Sequence, residues 1–299
     1  MSTDPTADLR VTRLGLSPMK GTRHLSHQRV TLDSHGPVGD RQHCLVDPQT
    51  GRVLRTVQHP QLLEITAEET ETGLRITAPS GAQATIPDAG HTGLTQVGPA
   101  QPDPTLPASA AMTVDYWGRA VTVQTLPGEA SQLFSTHLGR EVLLARAPRG
   151  EVVYGGQVTL LHEASLRALQ AASGLPEQDQ LWHRFRPTAV VVSGTHSTPA
   201  FAEESWQGRE VGVGTARLLL GAPVPRCAVI DIDPLTGERN GDLLKTLAAG
   251  RPLNERGEPS FGVFATVLSP GTMGLGDQFA FGPEHTIRWS VAPRVVSSC

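Results

Sequence analysis

The stretch "LLEITAEETETGLRITAPSGAQATIP" (residues 62–87) decides how this 299-residue chain folds. Short runs rich in β-branched residues alternate in it with "ETETG" and "PSG", which have the composition of turns. The pattern predicts strands over residues 62–69, 73–79 and 82–87. Consecutive strands with no helical segment between them favour an antiparallel barrel or sandwich over parallel units with crossover helices.

The same strand pattern continues on both sides of this stretch. Further strands are predicted over residues 11–18, 28–33, 41–47, 52–57 and 120–125. The segment 90–110 is rich in Pro, Gly and Ser, which predicts a surface loop or insertion. The first part of the chain is therefore expected to be β-barrel-like.

The second part mixes strands with a few short helices. Apolar residues at helical spacing, followed by glycine, predict helices over residues 128–139 and 162–174, and a third is predicted over 243–251. Strand patterns cover residues 188–194, 209–223, 227–234, 261–271 and 275–282. The predicted fold class is mainly β (α+β), with two β-rich parts that meet near residues 125–135.

Bulk properties exclude several classes of function. A net charge of −4 and a pI near 6.3 give no general attraction to nucleic acid or to an anionic membrane. The N-terminal "MSTDPTADLR" lacks the basic and apolar regions of an export signal, and the apolar runs are far shorter than the ~18 residues of a membrane helix. We expect a cytoplasmic protein with no nucleic acid and no membrane among its partners.

The three cysteines are too widely spaced for a disulfide framework or a CxxC metal site. Cys227 follows Arg226 in "PVPRC", and a neighbouring guanidinium favours the thiolate that binds metals. On one extended strand the two side chains would point in opposite directions. Spacing alone therefore favours a buried thiol, with a transition-metal ligand as the alternative. Cys44 is interpreted as ordinary strand packing, and Cys299 is assigned no role.

Several basic residues at turns and strand ends are candidate anion contacts. Lys20 lies in a predicted turn, and Arg41 follows a Gly-Asp turn. Arg184 and Arg186 are expected on one face of an extended segment, because Pro187 disfavours helix at Arg186. Each alone is more simply a solvated charge, whereas together they would suit a small polyanion. His24, close to His27 in a loop, is interpreted as a surface residue.

The order of motifs resembles a known family. "RFRPTAVVV" (184–192), "PVPRCAVIDIDPLTGER" (223–239) and "FGVFATVLSPGTMGLGD" (261–277) resemble the MOSC domain family, named after the C-terminal domain of molybdenum cofactor sulfurase. Upstream, "LGLSPMKGTR" (14–23) and "GPVGDRQHCLVD" (36–47) are similar to the N-terminal barrel of the amidoxime-reducing component. The resemblance runs from about residue 11 to residue 282, in the family's order.

The resemblance implies an N-terminal MOSC-associated β-barrel domain over residues 9–127, packed with a MOSC β-barrel domain over 128–290. It further implies that the molybdenum cofactor (Mo-molybdopterin) binds between them, with Cys227 as catalytic residue and ligand to molybdenum. The cofactor contacts would fall on Lys20, Gly21, Arg41, His162, Arg186, Thr188, Pro225 and Arg226. Gly21 and His162 stand where serine is common, and Thr188 where asparagine is common.

The implied function is reduction of N-hydroxylated substrates such as amidoximes and hydroxylamines. No four-cysteine iron–sulfur module is present, so electrons would come from a separate donor such as a ferredoxin or a flavoprotein reductase. One alternative is a sulfur carrier or cofactor-handling protein that uses a Cys227 persulfide. We expect it to be pyridoxal phosphate-independent, because no desulfurase domain accompanies the motifs. A non-catalytic cofactor-binding module is the other alternative.

Overall fold

The computed structural model describes residues 8–87, 109–176, 181–194 and 198–284, and in these ranges the fold is mainly β, as predicted. The strands are β1 Leu9–Leu16, β2 Leu25–His27, β3 Arg29–Asp33, β4 Gly36–Pro37, β5 His43–Asp47, β6 Arg52–Val53, β7 Thr66–Thr70, β8 Gly73–Thr77, β9 Gln83–Pro87, β10 Ala111–Tyr116, β11 Arg119–Thr125, β12 Leu143–Arg146, β13 Val158–His162, β14 Ala189–Ser193, β15 Arg209–Val213, β16 Ala216–Pro225, β17 Ser260–Ser269, β18 Gly271–Gly274 and β19 Gln278–Glu284. The α-helices are α1 Glu129–Leu138, α2 Glu163–Ser173, α3 Trp182–Phe185 and α4 Leu243–Gly250.

The larger sheet has eight strands in the order β14-β13-β17-β16-β15-β19-β1-β2. An additional pairing of β14 with β1 joins the two sides of this sheet. Its core is built from alternate residues of these strands, for example Leu9 and Val11 of β1 and Leu218 and Leu220 of β16, all of them buried. Burial of these apolar side chains holds the sheet closed around its core.

A smaller closed barrel is formed by β10-β11-β12-β5-β6. The stretch 62–87 forms the antiparallel meander β7-β8-β9 beside it, which confirms the strand prediction there. The first of these strands begins only at Thr66. Residues Pro60–Glu64 form a 3-10 helix instead, whose Leu62 and Leu63 are buried, with Leu62 in the core below the meander.

The two parts of the chain share strands. β1 and β2 lie in the larger sheet, and β3 pairs with β18 from the far end of the chain. The loop after β1 then crosses to the smaller barrel, where Met19 bridges to His43 of β5. The loop that carries Lys20 is therefore held between the two barrels.

The three predicted helices are confirmed as α1, α2 and α4. α1 and α2 end at Gly139 and Gly174, whose φ of 63° and 69° provide the left-handed conformation that closes many helices. No helix in the described ranges combines the length and the apolar composition needed to cross a bilayer.

Two further strand predictions are wrong, one in part and one in full. Only Arg52–Val53 of the segment 52–57 is a strand. The residues after Cys227 form a 3-10 helix, Ala228–Asp231, so the strand of this region precedes the cysteine as β16 rather than following it. The helix is favoured because the Cys227 carbonyl accepts from the Ile230 N–H. The predicted loop 90–110 falls almost wholly outside the described residues, as does Cys299.

Candidate functional site

Ser17, just after β1, connects three of the loops that carry predicted site residues. Its main-chain N–H donates to Asp40 Oδ1 (2.9 Å), and its carbonyl accepts from the Arg41 N–H (2.7 Å). Its hydroxyl oxygen accepts from Arg186 Nη2 (2.7 Å). Ser17 is fully buried, so these bonds fix the arginines within the protein.

The backbone at the two arginines is strained. Arg41 and Arg186 have φ of 49° and 52°, in the left-handed region that bulky residues seldom adopt. Strain of about 1–2 kcal/mol per residue persists only where the surrounding structure imposes it, and it concentrates at functional sites. The placement of these two side chains therefore lowers the stability of the fold.

The prediction that Arg184 and Arg186 share one face of an extended segment is wrong. Arg184 lies in the one-turn helix α3, and Arg186 caps that helix in the left-handed conformation. Arg184 is buried and donates to Asn240 Oδ1 (2.7 Å), with Asp233 Oδ2 at 3.6 Å. Arg184 therefore holds the loop that follows Cys227, whereas Arg186 donates to Ser17.

Three arginines bring positive charge into the site. Burial, and then the charge of Arg41, lower the pKa of Arg186 to about 9. Burial lowers the pKa of Arg226 to about 9 as well, with Arg41 adding to the effect and the Cys227 sulfur opposing it. Asp40 pairs with Arg41 at 2.9 Å between Oδ2 and Nη1. The single carboxylate of Asp40 leaves the three arginines with an excess of positive charge, which suits an anionic ligand.

His24 is buried behind these arginines, so its interpretation as a surface residue is wrong. Burial, then Arg186, His183 and Arg41, hold its pKa well below the usual value. The ring is therefore neutral, with Nε2–H donating to the Pro187 carbonyl (3.0 Å) and Nδ1 accepting from the Ser17 hydroxyl (3.3 Å). A Cβ at Gly15 would overlap the ring, which explains the glycine in "LGLSP".

Cys227 is exposed at the end of β16, while Arg226 before it is buried. The guanidinium of Arg226 donates to the carbonyls of Phe261 (2.7 and 2.9 Å) and Phe185 (3.1 Å). Both residues follow the end of β16 at Pro225, so the expectation for a single extended strand does not apply to them. The interpretation of Cys227 as a buried thiol is wrong, because the residue is exposed. Pro225 closes β16 against Ser260 of β17, which fixes the point at which the thiol leaves the sheet.

Cys44 plays the packing role predicted for it. It is fully buried in β5 opposite Ala145 of β12. Burial raises the pKa of its thiol to about 12, so it stays protonated at neutral pH. Cys227 is therefore the accessible cysteine of the described residues.

Lys20 and Gly21 complete the site on the side of the smaller barrel. Lys20 Nζ lies 3.0 Å from Tyr116 Oη and 4.8 Å from the centre of that ring. Gly21 has φ of 94°, and a Cβ there would come within 3.0 Å of Leu62 Cδ1. The backbone therefore favours glycine where serine is common, and a side chain at this position would crowd Leu62.

Thr188 and His162 are occupied by structural contacts. Thr188, half a turn beyond Arg186, accepts from the Thr159 N–H through Oγ1 (3.2 Å). His162 caps α2, with Nδ1 accepting from the Ala164 N–H (3.1 Å) and Nε2 lying 3.4 Å from Ser193 Oγ. Their cofactor contacts stay predictions, and the bonds of His162 connect it to α2 and β14 rather than to Ser17.

His162 gives the protein a pH dependence that is directly measurable. Burial, and then Arg167, lower its pKa to about 4, whereas unfolded His titrates near 6.5. Its stabilising effect is complete above pH 6.5 and is lost as the pH falls toward 4, because the unfolded chain binds the proton first. Asn at this position keeps the cap and does not titrate.

When the pH is lowered from 7 to 5, we expect the unfolding free energy of wild type to fall by about 1 kcal/mol more than that of His162→Asn. Urea unfolding at the two pH values checks this. His35→Asn, at a residue of an exposed turn, serves as control and should behave as wild type. An equal loss in wild type and His162→Asn would contradict the assignment.

Comparison with known proteins supports the family. A family model described as the MOSC N-terminal beta barrel domain matches residues 8–141, and one described as the MOSC domain matches residues 141–280. The chain belongs to the MOSC domain family. Its two family domains meet at residue 141, just before β12.

Relatives of this MOSC protein include two larger proteins. The molybdenum cofactor sulfurase of Bos taurus is 31% identical over 141 residues, which cover 42% of this chain and 15% of that protein. The molybdenum cofactor sulfurase of Drosophila erecta is 29% identical over 124 residues, covering 42% of this chain and 14% of that one. The MOSC protein therefore matches about a seventh of their length.

Solved structures resemble the MOSC protein only distantly. The YUAD protein from Bacillus subtilis has a TM-score of 0.40 and 11% identity, covering 91% of this chain and 93% of its own. YiiM from Geobacillus stearothermophilus has a TM-score of 0.30 and 13% identity, covering 43% of this chain and 55% of its own. The family assignment rests on the two sequence matches.

The structure brings Arg41 close enough to Arg186 and Arg226, and Arg226 close enough to Cys227, for their charges to interact, and it places Lys20 against Tyr116. Sequence reasoning missed the buried partners Ser17, Asp40, His24 and Tyr116. Asp40 had a visible signal, the "GD" turn before Arg41, but Ser17 before a proline and His24 in a loop had none. In the described ranges, no three His, Cys, Asp or Glu side chains come together as a metal site.

Proposed function

We propose that this protein binds the molybdenum cofactor at the cluster formed by Ser17, Asp40, Arg41, Arg186 and Arg226 (the Ser17 cluster) and reduces N-hydroxylated compounds. The observation that carries the proposal is the concentration of positive charge: Arg186 and Arg226 lie close enough to Arg41 for repulsion between like charges, which adds to burial in lowering the pKa of each to about 9. Like charges held together in the interior are unfavourable unless an anion offsets them. The family and its sulfurase relatives connect the chain with molybdenum-cofactor-related function.

The residues present fit the cofactor. Arg41 and Arg186 offer planar guanidinium donors suited to its phosphate, and Lys20 adds a point charge from the smaller barrel. The exposed thiol of Cys227 is the soft ligand that a transition metal accepts. The cofactor, when bound, supplies two-electron oxygen-atom transfer at molybdenum.

The hydrogen bonds within this chain position the charged side chains of the site. The bonds from Ser17 fix Arg186 and Asp40, and the carbonyls of Phe261 and Phe185 hold Arg226 close enough to Cys227 for their charges to interact. In the overall reaction the substrate N–O bond breaks, two electrons and two protons are consumed, and the oxygen leaves as water. The electrons would come from a separate protein such as a ferredoxin or a flavoprotein reductase.

Activity of the wild-type protein tests this proposal. The protein is purified from cells that make the cofactor and supplied with an artificial electron donor. We expect benzamidoxime to be converted to benzamidine, with one product formed per two electrons consumed. Protein from cofactor-deficient cells is the control and should be inactive. No turnover by cofactor-loaded protein would contradict the proposal.

A second candidate follows from the exposure of Cys227 and the sulfurase relatives. An accessible thiolate is able to carry a persulfide and pass its sulfur to another protein. Mass spectrometry distinguishes the two, because a carrier gains one sulfur atom on the peptide that contains Cys227. Bound cofactor without turnover or persulfide would instead favour the non-catalytic module.

A further inference from the structure

Two aromatic side chains, Trp117 and Tyr154, stand beside the site and are not needed for the cofactor contacts described above. Their ring centroids are 5.6 Å apart, with 52° between the ring planes. Tyr154 is 39% exposed and lies close enough to Cys227 and to Tyr116 for their charges to interact. We refer to Trp117 and Tyr154 as the aromatic wall.

Trp117 occupies a position that tryptophan seldom takes. β10 and β11 are joined by the two-residue turn Trp117–Gly118, with φ of 56° and 77°. Such turns favour Asn, Asp or Gly at the first position, because left-handed backbone strains other side chains. Strain kept at the mouth of a site points to a function for the ring that it presents.

The wall is held in place before any ligand binds. The Arg55 guanidinium lies 3.7 Å from the centre of the Trp117 ring. Arg119, on the other side of the turn, donates to the Glu151 carbonyl (2.9 Å) and so ties the hairpin to the loop that carries Tyr154. A braced surface loses little entropy on binding, which favours a rigid, flat ligand.

The Tyr154 loop is also fixed relative to Cys227. A Cβ at Gly155 or Gly156 would overlap the ring of Phe264, so this loop lies directly on β17. β17 pairs with β16, at whose end Cys227 emerges. The tyrosine ring and the thiol are therefore set by neighbouring strands of one sheet.

We propose, resting on the function proposed above, that the aromatic wall binds the substrate and selects planar aromatic N-hydroxylated compounds over aliphatic ones. An aromatic ring stacked on Tyr154, which Trp117 supports from the side, gains about fivefold to tenfold in binding over an alkyl group of similar polarity. The exposed face of Tyr154 accepts such a ring, while the position of the wall keeps the N–O group on the side of Cys227.

Two substrates and three variants test the wall. We compare kcat/KM for benzamidoxime and acetamidoxime, using an artificial electron donor so that docking of a donor protein does not enter. The ratio of the two values should fall about fivefold to tenfold in Tyr154→Ala and in Trp117→Asn, and Tyr154→Phe should keep it. Trp117→Asn should lower Tm slightly, because the ring packs against the core of the smaller barrel, whereas a merely structural Trp117 would lower Tm without changing the ratio for the two substrates.

A measurement of benzamidoxime binding distinguishes failure of the aromatic wall from failure of the proposed function. Benzamidoxime binding to the cofactor-loaded protein, measured by calorimetry, should weaken by the same factor in Tyr154→Ala. Wild type that binds benzamidoxime more tightly than Tyr154→Ala but reduces neither substrate supports the wall and contradicts the proposed function. An unchanged substrate ratio and unchanged binding in both ring-deleted variants would overturn the wall. A defect that appears only when a protein supplies the electrons would also overturn the wall.

Discussion

Replacing Cys227 with Ala is expected to lower benzamidoxime reduction by about a thousandfold, equivalent to about 4 kcal/mol of transition-state stabilisation. The thiol is exposed at the end of β16, so its removal leaves no cavity in the core and the protein should keep its fold. The cluster around Ser17 is untouched, and part of the pterin should remain bound. The loss should therefore appear in kcat, with Tm within a degree or two of wild type.

Cys227→Ser is the matched variant, because it keeps the size and removes the soft ligand. We expect it to be nearly as inactive as Cys227→Ala, since a hydroxyl is a poor ligand for a thiophilic metal. Molybdenum and pterin content, measured beside activity, show whether cofactor is retained. Full molybdenum content with unchanged turnover in Cys227→Ala would contradict the assignment of the ligand.

Replacing Arg186 with Met is expected to have opposite effects on cofactor content and on stability. The variant loses a charge-assisted donor to the bound anion, which should lower cofactor content about tenfold or more. In cofactor-free protein it also removes a buried charge that lies near Arg41. The unfolding free energy of that protein should then be about 1–2 kcal/mol higher than in wild type.

Arg184→Met provides the control, because Arg184 is only two residues away and is the more buried of the two. Its partners are Asn240 and Asp233, so the substitution leaves Asp233 without its buried counter-charge. We expect the unfolding free energy to fall by about 2–3 kcal/mol, opposite in sign to Arg186→Met. Urea unfolding of both cofactor-free variants checks the pair. Destabilisation by both would show that the charge of Arg186 is not in excess.

Much of the fold was predictable because the strand signal is local. The turns at "ETETG" and "PSG" separate strands of period two, and the glycines after α1 and α2 end those helices as expected. The strand predicted after Cys227 failed because "AVID" has β-branched residues, yet the chain must turn there and forms a 3-10 helix. β-propensity describes how residues fit a half-buried surface, and tertiary context overrides it at such a turn.

The site was predictable only in part, because its geometry depends on long-range contacts. Arg186 looked extended before Pro187, but the left-handed backbone turns it toward Ser17, 169 residues away in sequence. His24 looked exposed because nothing local shows that Gly15 leaves room for its ring. Lys20 and Cys227 were predicted from their motifs, whereas the residue that connects the loops, Ser17, had no motif of its own.

The central claim is that the cluster around Ser17 together with Cys227 holds the molybdenum cofactor. The most direct test measures molybdenum and pterin in wild-type protein purified from cells that make the cofactor, with cofactor-deficient cells as control. We expect about one molybdenum and one pterin per chain from the first source and neither from the second. Protein from cofactor-making cells that carries neither molybdenum nor pterin would contradict the account.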